Sequence, residues 1–338
     1  MIDAALKKYF SDESFLVRNK SLLIFLLKLF IAAGLLTYIV STVEPSEIWV
    51  AIKQANLGFL IAAFSMIFLN LYLQYLKWKL TCELLLNESS NSKIFISLLH
   101  GFAAGVFTPA RVGEYFGRAI VLKDKPVYKV ALATLLDKFF PLLMVAIFGS
   151  ISSIIFIHFE YGITIFITIS LFIVLFSLFY FFIYLLFNER FWDSIIFSKL
   201  RKSTRMNYLL DKLKELKNLN RNYTIKMLAV SFLFYLCFLI QYVLLVASFS
   251  DQLHFVDYLW AGNLVMFAKT IIPPISLGEL GIREGASVFF FLKFQVEKVT
   301  AFNSSILLFA INVLIPTVFG VVFLPRLGRK EYQDSKTD

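Results

Sequence analysis

Two short segments of this sequence carry the same chemically capable residues at the same spacing. PARVGEYFGR occupies residues 109–118 and PISLGELGIR occupies residues 274–283. Both fit P-x-x-φ-G-E-x-x-x-R, where φ is aliphatic, and the matched pairs are Pro109/Pro274, Gly113/Gly278, Glu114/Glu279 and Arg118/Arg283. An arginine can bind phosphate through two hydrogen bonds, and a nearby carboxylate can keep it paired when no anion is present. The repeated pattern therefore indicates a site for an anionic group.

Four further charged residues lie close to these segments or inside apolar runs. Arg111 and Glu284 flank the repeated residues, Asp137 follows in a long apolar run, and Lys269 precedes the second segment. A carboxylate inside a membrane span is expensive and usually faces an interior pathway. Two simpler interpretations stay open: the Arg–Glu clusters are interfacial salt bridges, and Lys269 extends its ammonium toward the membrane surface.

The composition assigns the chain to the integral membrane class. Of its 338 residues 59% are hydrophobic and only 17% are charged, and the mean hydropathy is +0.76. Soluble domains are much less apolar. The net charge of +10 resides mostly in loops beside apolar runs, where membrane topology and anionic lipids explain it better than nucleic acid does.

Apolar runs of about 20 residues are long enough to cross roughly 30 Å of hydrocarbon. Six segments qualify, namely 21–41, 57–76, 130–157, 162–187, 226–249 and 301–324. Two more stretches, 94–121 and 258–296, are broken by Gly, Pro and charged residues, and each is predicted to form a re-entrant helical hairpin. The expected fold is an all-α polytopic membrane protein with six full transmembrane helices and two broken-helix hairpins.

The distribution of basic residues predicts the orientation. With a cytoplasmic N-terminus, the inside segments carry 26 Lys and Arg residues and the outside segments carry 4. The positive-inside rule then places both termini, 1–20 and 325–338, in the cytoplasm together with the loop 188–226. That loop contains a pattern typical of an amphipathic helix, either on the inner leaflet or as a solvated linker.

The duplicated segment divides the chain into two similar halves. Residues 21–157 form a predicted first repeat and residues 162–324 a second, each with three spans and one hairpin. Because three is odd, the second half enters the membrane upside down. Inverted repeats of this kind are common in secondary transporters, which bind substrates on broken helices near the bilayer midplane. Helix N-termini at such breaks favour anionic groups.

The segments PARVGEYFGRAIVL and PISLGELGIREGASVFFF, with TLLDKFF around Asp137, resemble the flippase-like membrane domain shared by lysylphosphatidylglycerol synthases. The resemblance covers roughly residues 20–325 and implies movement of lipids with modified head groups between leaflets. It also implies that Asp137 is the acidic residue of the span after the first hairpin. It marks as conserved-type positions Arg111, Gly113, Glu114, Arg118, Gly278, Glu279, Arg283 and Glu284.

Two departures from the family pattern qualify this resemblance. Relatives often place a charged pair before the aspartate, whereas this chain has Thr134 and Leu135. The sequence also ends 14 residues after its last predicted span. We therefore expect no soluble aminoacyl-transfer domain and no synthesis of lysylphosphatidylglycerol by this chain alone.

The sequence thus predicts a lipid translocator of the plasma (inner) membrane that grips an anionic or modified head group. The alternatives are a membrane transferase, or an accessory subunit of a glycosyltransferase or other lipid-modifying enzyme. No D-x-D, H-E-x-x-H, G-x-S-x-G or P-loop motif is present, so the sequence offers no catalytic machinery. The three histidines are isolated, and we expect neither a metal nor a cofactor.

Overall fold

The computed structural model describes residues 53–106, 111–187, 221–272 and 281–323, with Val50 and Thr108. This part of the chain is built of helices and contains no strand, which confirms the all-α fold class. The helices are α1 Leu57–Thr81, α2 Asn91–Val106, α3 Gly113–Val121, α4 Val127–Tyr161, α5 Ile165–Phe187, α6 Arg221–Phe249, α7 Phe255–Ile271, α8 Ile282–Lys293, α9 Lys298–Phe309 and α10 Ile315–Phe323. Two π-helical turns, Cys82–Leu86 and Ala310–Leu314, extend α1 and join α9 to α10.

Four of the described helices are long and apolar enough to cross a membrane. They are Leu57–Leu86, Val127–Tyr161, Arg221–Phe249 and Lys298–Gly320, and Ile165–Phe181 is a shorter apolar helix. These five coincide with predicted spans. The sixth predicted span, 21–41, lies outside the described residues, as do both termini and most of the loop 188–226. The count of six full spans therefore stays a prediction.

The helix ends follow local sequence signals. The Asn56 side chain caps α1 by accepting a hydrogen bond from the Gly58 amide at 2.9 Å, as asparagine commonly does at this position. The π turn after α1 ends at Asn87, whose φ of 48° is left-handed. Gly162 ends α4 with a φ of 62°, a conformation that glycine adopts without steric cost.

The described residues of each predicted broken stretch include two helices, α2 and α3 in the first half and α7 and α8 in the second. Glycines bring α2 and α3 into close antiparallel contact. A Cβ added to Gly113 would collide with the carbonyl oxygen of Ala104, and one on Gly117 would lie 2.5 Å from that of His100. Thr108 stabilises the start of α3, because its hydroxyl accepts a hydrogen bond from the Gly113 amide at 2.7 Å.

Helices α1 and α6 pack antiparallel along their whole length. At one end the Asn56 amide donates to the carbonyl oxygen of Ser248 at 2.7 Å. At the other end the hydroxyls of Thr81 and Tyr223 lie 3.0 Å apart. Between them, the Gln241 side chain donates to the backbone of α1 at 2.9 Å. This seam joins the two halves of the molecule.

Several of the remaining helix contacts occur in matching pairs. Helix α2 packs against α10, and α7 packs against α4. Likewise α3 packs against α4, and α8 packs against α9. Glycines occupy both cross-half contacts, since Gly149 of α4 abuts the Phe267 ring and Gly320 of α10 abuts the backbone of Leu99. Small residues at such positions allow helices to approach closely within a membrane.

Candidate functional site

Three charged side chains from α3 and α4 form the centre of a buried ionic cluster. Arg118 donates to the carboxylate of Glu114 at 2.6 Å and to that of Asp137 at 3.0 Å. All three are at most 3% exposed. Glu114 and Arg118 lie four residues apart and so on one face of α3, and α4 brings Asp137 to that face. The structure therefore joins three residues that the sequence predicted for one site.

Lys77 of α1 is a fourth buried member of this ionic cluster. Its ammonium lies 3.6 Å from a carboxylate oxygen of Asp137 and donates to the Asp137 backbone carbonyl at 3.4 Å. That carbonyl is available because the residue four positions later is Pro141, which has no amide hydrogen to donate. A proline inside α4 thus supplies a second acceptor for a buried lysine.

The aromatic ring of Trp78 closes the buried side of the cluster. The Arg118 guanidinium carbon lies 4.1 Å from the centre of this ring, within the range of cation–π attraction. The indole nitrogen donates to the Ser97 hydroxyl at 2.7 Å, which fixes the orientation of the ring. The arginine is therefore held by two carboxylates and by an aromatic face.

Two further cations approach the cluster from its more accessible side. Lys138 donates to one carboxylate oxygen of Glu114 at 2.5 Å, and the Arg111 Nε lies 3.6 Å from the same oxygen. The side chains of Lys138 and Arg111 are 34% and 27% exposed, whereas that of Glu114 is 2% exposed. One carboxylate oxygen thus faces two cations that an incoming anion can reach.

Arg111 also has an unusual backbone conformation. Its φ of 55° is left-handed, which costs a residue with a side chain roughly 1–2 kcal/mol. Such conformations cluster at binding sites, where the surrounding structure holds them in place. The conformation places the Arg111 side chain near Glu114, with its guanidinium 6.0 Å from the Phe102 ring centre.

The cluster contains more positive than negative charge. Lys77, Arg111, Arg118 and Lys138 are the cations, and Glu114 and Asp137 are the two carboxylates. In addition, Nε of Arg118 is buried without a hydrogen bond. Uncompensated charge is expensive in a region of low dielectric constant. Among the described residues, the basic side chains of this cluster therefore outnumber its carboxylates by two.

The second half contains a smaller ionic cluster around Arg283 of α8. Its guanidinium pairs with the Glu284 carboxylate, donates to the Ser305 hydroxyl at 3.1 Å and lies over the Phe309 ring. Glu284 also accepts a hydrogen bond from the Gly281 amide at 2.6 Å. One arginine and one glutamate balance each other here. This cluster caps the start of α8 and carries no excess charge among the described residues.

The structure places the predicted site residues in different surroundings. Arg111, Glu114, Arg118 and Asp137 lie together in the first cluster, and Gly113 contributes the close packing of α2 and α3. Arg283 and Glu284 form the second cluster. Lys269 belongs to neither, and its ammonium lies 5.5 Å from the Phe238 ring centre. The other predicted residues, Pro109, Pro274, Gly278 and Glu279, lie outside the described residues.

The sequence prediction missed Lys77, Trp78 and Lys138. Lys138 directly follows Asp137, and this second charge in one apolar span was an available signal. A second signal was the D-x-x-x-P spacing of Asp137 and Pro141. It predicts that the Asp137 carbonyl lacks its usual backbone donor inside the span. The predicted span 57–76 ends just before Lys77 and Trp78, whereas α1 continues to Thr81 and both residues are buried.

Among the described residues, no group of three His, Cys, Asp or Glu side chains could hold a metal ion. A family model described as "Lysylphosphatidylglycerol synthase TM region" matches residues 25–320. No curated protein and no solved structure matches the chain.

Proposed function

Because the chain belongs to the family of lysylphosphatidylglycerol synthase transmembrane regions, we propose that it moves a lipid with an anionic or modified head group between leaflets. The family makes the chain a membrane protein related to lipid modification or translocation. The proposed substrate site is the first ionic cluster, and its ligand is the lipid phosphate. The lipid tails would remain in the bilayer while the head group crosses.

The observation that carries this proposal is the excess of cations in a buried part of the membrane domain. Four basic side chains share two carboxylates around Arg118. A purely structural cluster would be expected to balance its charges, as the Arg283 and Glu284 pair does. A phosphate bound beside Arg111 and Lys138 would supply the missing negative charge.

The arrangement of Glu114 suggests how the empty site is kept intact. Its carboxylate holds Arg118 on one oxygen and Lys138 on the other. A phosphate offers three or more acceptor oxygens and can take over Lys138 and Arg111 while Arg118 keeps its bond to Asp137. Glu114 therefore acts as a competitor that an incoming head group partly displaces.

The relation between the two halves supports an inverted repeat as the translocating framework. The paired helices α1 and α6 are antiparallel, as equivalent helices of inverted halves must be. Helix contacts within and between the halves also occur in matching pairs. We propose that the helix pairs α2/α3 and α7/α8 are re-entrant hairpins that open in turn to opposite sides.

A translocation assay in lipid vesicles tests the function. The purified chain is reconstituted into phosphatidylcholine vesicles that contain a trace of phosphatidylglycerol with a nitrobenzoxadiazole label. Dithionite added outside then bleaches inner-leaflet label only if the lipid crosses. We expect R118Q and E114Q to slow crossing about 10- to 100-fold. Each variant removes a charge-assisted hydrogen bond, worth roughly 1.5–3 kcal/mol, that keeps the basic side chains in place in the empty site.

The matched control is K79Q on α1. Lys79 pairs with Glu83 at 3.8 Å, and both side chains are partly exposed, so the variant should cross lipid at the wild-type rate. Wild-type vesicles that bleach no more than protein-free vesicles would contradict the proposal. Lipid crossing by R118Q at the wild-type rate would also contradict the proposal. That result would favour a scaffold for a partner enzyme.

A further inference from the structure

Two lysines from different halves of the molecule rest on neighbouring aromatic rings of α6. The Lys77 ammonium, from α1, lies 4.8 Å from the ring centre of Phe234. The Lys269 ammonium, from α7, lies 5.5 Å from the ring centre of Phe238. The two rings are one helical turn apart and meet edge to face, with centres 6.4 Å apart. Helix α6 thus presents a strip with one ammonium on each ring.

This strip begins at the first ionic cluster. Lys77 contacts Asp137, which in turn holds Arg118. From Lys77 the contacts continue over Phe234 and Phe238 to Lys269, in the last turn of α7. Helix α7 leads directly into the second repeated segment at 274–283. A line of cations therefore connects the anion site of the first half with the broken stretch of the second.

The chemistry of these contacts suits a transient binding site. An ammonium on an aromatic face is attracted to the ring quadrupole, and the attraction is weaker than a hydrogen bond to an ionised phosphate. The ring contact can therefore give way when an anion approaches the ammonium. Phenylalanine has no polar atom of its own that would compete for the phosphate.

We propose that Lys77 and Lys269 are successive contacts of the lipid phosphate as it passes from the first half to the second. While no head group is present, the ammonium of Lys77 contacts both Asp137 and the Phe234 ring, and that of Lys269 contacts the Phe238 ring. This inference rests on the proposed translocation function, and it adds Lys269 as a binding residue and a direction of movement across α6. It also gives Lys269 a role different from that of a lysine extended toward the membrane surface.

The test uses the full chain in the same phosphatidylcholine vesicles with labelled phosphatidylglycerol. K269Q should slow crossing about tenfold, because it removes one charge-assisted contact with the phosphate, and K269R should restore most of the rate. K77Q should slow crossing at least as much. The control K293Q lies at the end of α8, where Lys293 pairs with Glu160 at 2.6 Å in an exposed position, and should leave the rate unchanged.

The outcomes separate this inference from the proposed function. If the wild type moves the lipid and K269Q does so equally fast, the inference is overturned while the translocator stands. If the wild type moves no lipid, both are overturned. K77Q removes a buried charge and can impair folding, so monodispersity on gel filtration is checked first. K269Q, at a half-buried lysine, decides the question if K77Q does not fold. A rate equally low in K269Q and K269R would also contradict the role, because a phosphate contact needs only the charge.

Discussion

The pairing of Lys77 with Asp137 shows how a single residue reshapes a buried site. Pro141 breaks one backbone hydrogen bond of α4 and leaves the Asp137 carbonyl without its helical donor. The Lys77 ammonium donates a hydrogen bond to that carbonyl at 3.4 Å and also pairs with the Asp137 carboxylate. A proline in a helix interior costs about 3 kcal/mol relative to alanine, and here its broken bond is replaced by one to a buried cation.

This arrangement predicts that P141A gains stability and loses function. The new amide would donate to the Asp137 carbonyl and compete with Lys77 for this acceptor. The position of the Lys77 ammonium would then be less well fixed. We expect an unchanged or higher melting temperature in detergent and severalfold slower lipid crossing in the vesicle assay.

The control for this prediction is P126A. Pro126 immediately precedes α4, and its missing amide hydrogen breaks no bond within a helix. P126A should leave both the melting temperature and the rate of lipid crossing nearly unchanged. Wild-type crossing by P141A would show that the carbonyl contact of Lys77 has no role.

At the scale of helices, the close contact between α2 and α3 positions the cluster. Gly113 and Gly117 lie against the backbone of α2, and a Cβ on Gly101 would lie 2.8 Å from the Arg118 side chain. Glycine spacing brings the helices together, and the buried arginine fills the remaining space. Small residues on both helices therefore decide where Glu114 and Arg118 point.

A matched pair of alanine variants tests this contact. G113A forces the new methyl group against the Ala104 carbonyl and should destabilise the fold by about 1–3 kcal/mol. G285A in α8 has open space around its Cβ, and alanine favours helix by about 1 kcal/mol over glycine. It should be neutral or stabilising. Thermal unfolding in detergent distinguishes the two, and equal melting temperatures would show that the α2/α3 contact tolerates separation.

At the scale of the molecule, the antiparallel seam of α1 and α6 connects two halves with matching contacts. If the halves are inverted, the loop after α3 and the loop after α8 face opposite sides of the membrane. The excess of basic residues predicts that the first of these loops lies in the cytoplasm. Opposite exposure of the loops is what alternating access requires.

Cysteine labelling tests this topology. D124C and E297C introduce thiols at exposed loop positions after α3 and α8. A membrane-impermeant maleimide added to intact spheroplasts should label E297C, and D124C should react only after the membrane is permeabilised. The parent chain is the control, since its Cys82 and Cys237 are free but buried. Reaction of both variants from the same side would contradict the inverted arrangement.

The sequence by itself determined the membrane class and the helical fold, and it predicted the positions of the two breaks. These features are local: apolar length sets where a helix can span, and Gly and Pro set where it must stop. Glu114 and Arg118 were also readable as a pair, because four residues of helix place both on one face. Asp137 was recognisable from its cost in an apolar span.

Only the tertiary structure decided which charges meet and in what ratio. Lys77 lies 60 residues from Asp137 along the chain, and α1 and α4 bring them together by packing. The approach of Lys138 to Glu114, 24 residues away along the chain, and the contacts of two lysines with the α6 rings are likewise long-range. Electrostatic energy depends on distance through space and on burial. The spacing of residues along the chain gives neither of these quantities.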